Sequence, residues 1–489
     1  MKQSWERYRA ICYGAAALGI AVCIGCFLAV SDTKNALGVV GDWVWERTGF
    51  GLALMPAAVV TILFLAALRF ALLADRKQIR CIAAAAVILC AGFCSDLVIL
   101  HYGGRAGLAE SAMAPLSTFS TGYLDPVLTA GSPADYTTHF QQKILQVPDK
   151  EIPRHIHVHP PANVLISALA LYLPGIGNGI FPETAAELEM LRRETILLPP
   201  GNTPEAIAAS LNLILGMVLA LLAGKGMLMA ALLSCRPKTP GLALMLIAFG
   251  SGAAVLFLGH YDTFYFCITA AAVLLAVKTL QRDSMAMAVG CGAILGIGAS
   301  FSLGYGAVIA AAGGAFLASG GKRFSRLAGL AMGGLLIYGV MALCGMELLG
   351  IALKCWDNHR IFNAMAHRSY RLWLPYNLAD GLFFAGGLTA ILPFAAWLMP
   401  RKHPWFPALA AAAFFWGFLL FSGSAKGELG RLLILYLPVL LLSAALQIGR
   451  FPVVRAGTKG YFFMTLALGG MVLQTLLLRD ALKLILIDL

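Results

Sequence analysis

Charge is scarce in this chain: only 12% of its 489 residues are Asp, Glu, Lys or Arg, while 60% are hydrophobic. A water-facing surface needs more charge than that, so a soluble globular domain is excluded. No nucleotide-binding glycine motif occurs, and there is no tandem repeat, low-complexity tract or soluble domain. Cysteine pairing is equally thin. Most of the 11 cysteines lie inside apolar runs; Cys23 and Cys26 have metal-ligand spacing, but they sit mid-span with no second pair. They read as buried free thiols.

What is present is apolar sequence in long runs over the whole length. The spacing predicts an all-α polytopic membrane protein, a single integral membrane domain over 1–489, with about thirteen transmembrane helices. The expected spans are 10–31, 50–73, 80–101, 206–234, 241–258, 263–280, 285–301, 303–319, 327–348, 379–399, 404–421, 429–447 and 461–479. The first follows Lys2, Arg7 and Arg9 like a signal peptide, but it lacks a convincing small-residue cleavage site and reads as a retained span.

The formal net charge is +12, and its distribution excludes nucleic acid as a partner. Basic residues sit in short breaks: Arg76, Lys77 and Arg80; Arg236 and Lys238; Lys278 and Arg282; Lys322, Arg323 and Arg326; Arg401 and Lys402; Arg450, Arg455 and Lys459. With the N-terminus inside, every one of these breaks falls on the cytoplasmic side. The segment 161–181 is the exception. Counting it as a crossing reverses everything downstream, and the acidic stretch 182–205 after it suits the outer side, so 161–181 is expected to dip into or lie along the outer leaflet. The region 102–205 is thus an outer loop with juxtamembrane or re-entrant helices.

Polar chemistry gathers in three outer segments: 102–160, 351–378 and 422–431. The first holds Tyr123, Asp125, Asp135 and Tyr136, carboxylates beside phenols. It also holds His155, His157 and His159 before Pro160 and Pro161. Extended backbone ahead of proline puts alternate residues on one face, where three imidazoles could hold zinc or an anion. A solvated or hydrogen-bonded loop is the plainer reading of the same spacing. Asp125 before Pro126 also suits a turn, and Glu428 with Arg431 suits a surface pair. Arg371 and Trp373 suit interfacial anchors, and Asp262, beside His260 and Tyr261, suits a helix N-cap. Asp96, near the outer end of its span, lines a site or sits at the interface. The pairs Gly313-Gly314 and Gly333-Gly334 permit close helix contacts.

Three motifs in order resemble the GT-C superfamily of integral membrane glycosyltransferases, to which protein O-mannosyltransferases and aminoarabinose transferases belong. They are Asp125 or Asp135 with Tyr136 and then His159-Pro160-Pro161; the stretch from Asn358 to Gly387 with its His, Arg-x-Tyr, Trp and Asn-Leu-x-Asp pattern; and Gly427, Glu428 and Arg431. This chain departs from the pattern in having Val158 and Ala162 where relatives have Thr and Gly, more than the usual one span before the reactive loop, and no clean Asp-Glu pair.

The resemblance implies transfer of a sugar, with inversion, from a polyprenyl-phosphate donor to a glycan, lipid or protein hydroxyl, at the non-cytoplasmic face of the plasma (inner) membrane. Asp135 resembles the general base, and Asp125 is its competitor. Tyr136, His159, Asp262, His367, Arg368, Arg371, Glu428 and Arg431 are the implied substrate-binding set, with Arg368, Arg371, Arg431 and His159 as cations for the phosphate leaving group. The lipid-linked sugar and membrane lipids are the implied partners. No cofactor is assigned, and the reading leaves room for a divalent metal. A transporter or flippase of lipid-linked glycans is the competing reading, and a catalytically dead scaffold is a third. Internal repeats and mid-membrane charges, which a transporter favours, are few.

Overall fold

The computed structural model describes residues 2–31, 37–39, 43–45, 54–76, 80–102, 107–117, 122–129, 145–147, 155–194, 203–365, 369–398, 405–421, 429–449 and 458–482. These residues are helical almost throughout. Helix α1 (Lys2–Ser31) is followed by a short antiparallel pairing of Leu37–Val39 with Trp43–Trp45. Then come α2 (Leu54–Asp75) and α3 (Cys81–Tyr102). A run of short helices follows: α4 (Gly107–Leu116), α5 (Asp125–Thr129), α6 (His155–Val158), α7 (Ala162–Tyr172), α8 (Ile176–Ile180) and α9 (Pro182–Glu194). The bundle continues with α10 (Pro204–Ser234), α11 (Pro240–Phe249), α12 (Gly252–Leu256), α13 (Asp262–Arg282), α14 (Met285–Ala299), α15 (Tyr305–Ala318) and α16 (Arg323–Leu343). It closes with α17 (Leu348–Met365), α18 (Tyr370–Ala385), α19 (Gly387–Ile391), α20 (Phe406–Phe421), α21 (Leu429–Ile448) and α22 (Lys459–Ala481).

Among the described residues, seven helices are long and apolar enough to cross a membrane: α2, α3, α10, α13, α16, α21 and α22. Trp373–Ala385 and Gly387–Trp397, bent by 119° at Gly386, add an eighth if the pair counts as one span. The protein is therefore a helical integral membrane protein. Other positions expected to span carry shorter apolar helices: Tyr13–Ala29, Pro240–Leu256, Met285–Ala299, Tyr305–Ala318 and Phe406–Phe421. The segment 161–181 does not form one crossing helix. It breaks at Leu173 after the 11 residues of α7, which rise about 16 Å, half of a ~30 Å hydrocarbon core.

The basic turns share one end of the bundle. Asp75 at the end of α2 accepts from the Gly241 amide at 2.7 Å. The Lys278 ammonium donates to the Ser234 hydroxyl at 2.7 Å, and Gln281 donates to the Ser234 carbonyl at 2.8 Å. Lys238 N–H reaches the Gly449 carbonyl at 2.9 Å. Arg326 donates to Asp283 at 2.7 Å, holding that carboxyl below the usual carboxylate range. Asp262 and Arg282 open and close α13, and the 20 steps between them place them about 30 Å apart. The described basic breaks and the start of α13 are therefore at opposite ends. Those around Arg401, Lys402, Arg450 and Arg455 lie outside the described residues.

At the centre, every residue of α11 is buried. The helix stops at Gly250 and restarts at Gly252 as α12, so carbonyls near the break lose their helical donors. Lys225 of α10 fills that gap. Its ammonium donates to the Ala248 carbonyl at 2.6 Å and to the Asp96 carboxylate, and both side chains are buried. Asp96 is thus neither site-lining nor interfacial, as its place in the sequence suggests, but half of an interior ion pair. Past α12 the chain turns at Gly259, whose φ of +110° and close approach to the Ser111 carbonyl exclude a side chain.

Small residues set the helix spacing. On α16, a Cβ at Gly333 would run into the Val289 carbonyl and the Ala293 amide of α14. At Gly334 the nearest atom would be the Gly292 oxygen at 4.0 Å, and at Gly314 nothing lies within 4 Å. Of the glycines in the two doublets, Gly333 is the one in tight contact. Gly333→Ala is expected to cost about 1–3 kcal/mol, with Gly334→Ala nearly neutral, as read by thermal unfolding in detergent. Lys225→Met leaves Asp96 buried without its cation and is expected to cost about 3–5 kcal/mol. The double variant Lys225→Met/Asp96→Asn should recover part of that loss, and an additive double loss would contradict the pairing.

Candidate functional site

Four segments far apart in sequence meet at the end of the bundle opposite the basic turns. Tyr123 and Asp125 come from the region after α4, and His159 follows α6. Asp262 is the first residue of α13, and Arg431 lies on the first turn of α21. The Arg431 Nε is 3.5 Å from an Asp262 carboxylate oxygen, and both side chains are largely buried. The Tyr123 ring meets His159 edge-on at 6.0 Å and Tyr261 at 4.7 Å. His159 Nδ1 lies 3.4 Å from the Phe301 carbonyl.

A polar lattice beneath this cluster fixes its parts. On α7, Asn163 donates to the Tyr265 hydroxyl at 2.9 Å and to the Phe301 carbonyl at 3.3 Å. Ser167, one turn on, bonds the Tyr261 hydroxyl. Asn163 and Ser167 are i and i+4 on a helix, as Tyr261 and Tyr265 nearly are, so each pair presents one face. The Ala162 amide binds the Ser300 carbonyl at 3.0 Å, and Tyr436 of α21 binds the Gly304 carbonyl at 3.0 Å. Helices α7, α13 and α21 and the 300–304 turn are thereby locked around one mouth.

Burial pushes the Tyr123 phenol well above its ordinary pKa. Arg431 opposes that shift, whereas Asp262 and Tyr261 add to it. Tyr261 is raised as well, by burial first, with Ser167 opposing and the Asp125 charge adding. Both phenols are therefore neutral at pH 7 and able to donate or accept hydrogen bonds. Two carboxylates, one guanidinium, one imidazole and neutral phenols can take a proton from a hydroxyl and hold an anion beside it.

Asp125, His159, Asp262 and Arg431 are the anticipated residues brought together. Asp262 is no N-cap: Tyr261 holds that position and no side chain caps the helix, so the Asp262 carboxylate is left to face Arg431. Arg371 is exposed on the first turn of α18, and no described contact joins it to this cluster, while its neighbour Trp373 is buried and so is not an interfacial anchor. Asp135, Tyr136, His367, Arg368 and Glu428 lie outside the described residues. The three histidines do not form the expected extended face. His155–Val158 is a helical turn and not extended backbone, and among the described residues no group of three metal-ligating side chains gathers. Asn163, Ser167 and Tyr265 were not anticipated, although polar residues recurring every fourth position in an apolar run were a readable signal.

No family model matches the chain, and no curated protein or solved structure matches it either. The Asp262–Arg431 contact is open to direct test. Asp262→Asn and Arg431→Gln are expected to be non-additive in thermal stability by about 0.5–3 kcal/mol. Asp262→Asn combined with Arg371→Gln should be additive, and the same coupling at Arg371 would mean the site is drawn wrongly.

Proposed function

We propose that this protein is a GT-C-like glycosyltransferase that moves a sugar from a polyprenyl-phosphate donor to an acceptor hydroxyl. One observation carries the reading. Four of the residues that the motif resemblance implies, from four separate segments, come together at one end of the bundle, away from the basic turns. If the basic end is cytoplasmic, the cluster opens on the non-cytoplasmic side of the plasma membrane, where lipid-linked sugars and glycan, lipid or protein acceptors meet. The thirteen-span topology belongs to this reading. It requires that five of the six shorter apolar helices, all but Ala162–Tyr172, and the bent pair cross the membrane along with the seven long ones.

In this mechanism Asp125 or Asp135 accepts the acceptor's proton as its oxygen attacks the anomeric carbon. The bond from that carbon to the phosphate oxygen breaks, and the phosphate leaves with the electron pair. Arg431 and protonated His159 stabilise the charge that develops there. An arginine presents five donors in a fixed fork, so contact with Asp262 through Nε does not exhaust it. Neutral Tyr123 and Tyr261 orient hydroxyls. No nucleotide and no nucleic acid enters this scheme.

A second reading, a transporter or flippase of lipid-linked glycans, draws on two features: the buried Lys225–Asp96 pair at the α11–α12 break and the 119° bend at Gly386. Broken helices and interior charges are features of transporters. Purified protein in proteoliposomes with polyprenyl-phosphate-linked sugars separates the two. Transfer predicts release of polyprenyl phosphate, reduced about 10²–10⁴-fold in whichever of Asp125→Asn and Asp135→Asn removes the base, and weakened donor binding in Arg431→Gln. Unchanged release in both Asp variants would remove the catalytic assignment, and donor movement across sealed vesicles without release would select the transporter.

A further inference from the structure

The end of the bundle that carries the basic turns holds a cavity of about 260 Å³ that the proposed transfer does not use. Ser234, Cys235, Arg236, Leu280, Gln281 and Trp405 line it. They belong to or adjoin the ends of α10 and α13 and the start of α20.

Arg236 is held in an unusual way. It follows the C-terminus of α10 with φ of 51°, and its amide bonds the Leu233 carbonyl at 3.1 Å. Helices commonly close on such a left-handed residue, but glycine usually fills the place because a Cβ is strained there. An arginine at this position carries backbone strain that a glycine would avoid. Arg236 is exposed and lines the cavity. Lys278 bonds the lining Ser234 hydroxyl at 2.7 Å, and Gln281 bonds the Ser234 carbonyl at 2.8 Å.

The charge is unbalanced. Among the described residues, no carboxylate pairs with Arg236, Lys278 or Arg282, and the adjacent acid, Asp283, is bound to Arg326 at 2.7 Å. Leu280 supplies an apolar wall, and Trp405 is of the type that settles at the headgroup level. The volume is smaller than the ~300–1,000 Å³ of sites for drug-sized ligands, so it suits a headgroup. We propose that this cavity binds the headgroup of an anionic phospholipid, its phosphate on Arg236 and Lys278 and its glycerol carbons against Leu280 and Trp405. Cationic pockets between helices near a charged leaflet recognise lipids by these means. The site stands whether or not the protein transfers sugars.

The test uses the full-length protein in nanodiscs of phosphatidylcholine alone or with phosphatidylglycerol, read by thermal unfolding and by mass spectrometry of retained lipid. Phosphatidylglycerol is expected to raise Tm and to remain bound, whereas soluble glycerol phosphate leaves Tm unchanged. Arg236→Gly removes the cation and relieves the backbone, so in phosphatidylcholine it should unfold at the same or a higher temperature while losing the response to phosphatidylglycerol. Lys278→Gln should weaken that response. Arg323→Gln, an exposed cation at the same end and outside the cavity, should keep it. A full response in Arg236→Gly, or an equal loss in Arg323→Gln, overturns the proposal, and an equal shift with glycerol phosphate overturns the lipid as its source.

Discussion

A hydrocarbon slab offers no hydrogen-bond partner, so every amide and carbonyl inside it must find one within the protein. Continuous helices meet that demand by themselves. A helix that stops in the interior does not, and α11 stops at Gly250. The structure depends on how this interruption is satisfied: Lys225 from α10 takes up the Ala248 carbonyl, and Asp96 from α3 balances the charge. Three helices are fixed to one another at that point. The chain can then break its direction and spend the residues from Gly252 to Tyr261 on a path that no straight helix could follow.

That path delivers the mouth. The turn at Gly259 lies against α4, and Tyr261 and Asp262 follow it at the head of α13. Because the break ends the helix early, Asp262 begins a new one, and its carboxylate faces the first turn of α21 instead of the lipid. The short α7 completes the arrangement from the other side. Its Asn163 and Ser167 bind the phenols of α13, so a segment too short to cross a bilayer still has a fixed position. A cluster of buried ionisable groups is costly unless its members are paired or hydrogen-bonded, and the lattice of Asn163, Tyr265, Phe301 and Ser167 supplies that support.

Much of this was legible in the sequence, and the reasons are local. Apolar runs of bilayer length marked the seven long helices, and short basic breaks marked one end of the bundle. Asp125 stood out as a carboxylate beside a phenol in the long outer loop, His159 before Pro160-Pro161, Asp262 at an outer helix end and Arg431 in a short outer turn, and the motif resemblance joined them. Long-range pairing was not legible. Asp96 and Lys225 are 129 residues apart, and no periodicity links a lone acid in one run to a lone base in another. The same limit hid the contact of Asp262 with Arg431, and it made an N-cap and a surface pair reasonable local readings. The histidines failed for a different reason: proline ahead of a helix suggested extended backbone, and the chain formed a helical turn instead.

The knot at Lys225 also bears on how the sequence can drift. Exchange of either charged partner alone strands the other in a medium that cannot solvate it, so the two positions are barred from changing one at a time without injury to the fold. Descent should therefore treat Asp96 and Lys225 as a single inherited character, kept together or lost together. Any lineage that gave up the charges would have to mend the gap in α11 in the same stroke.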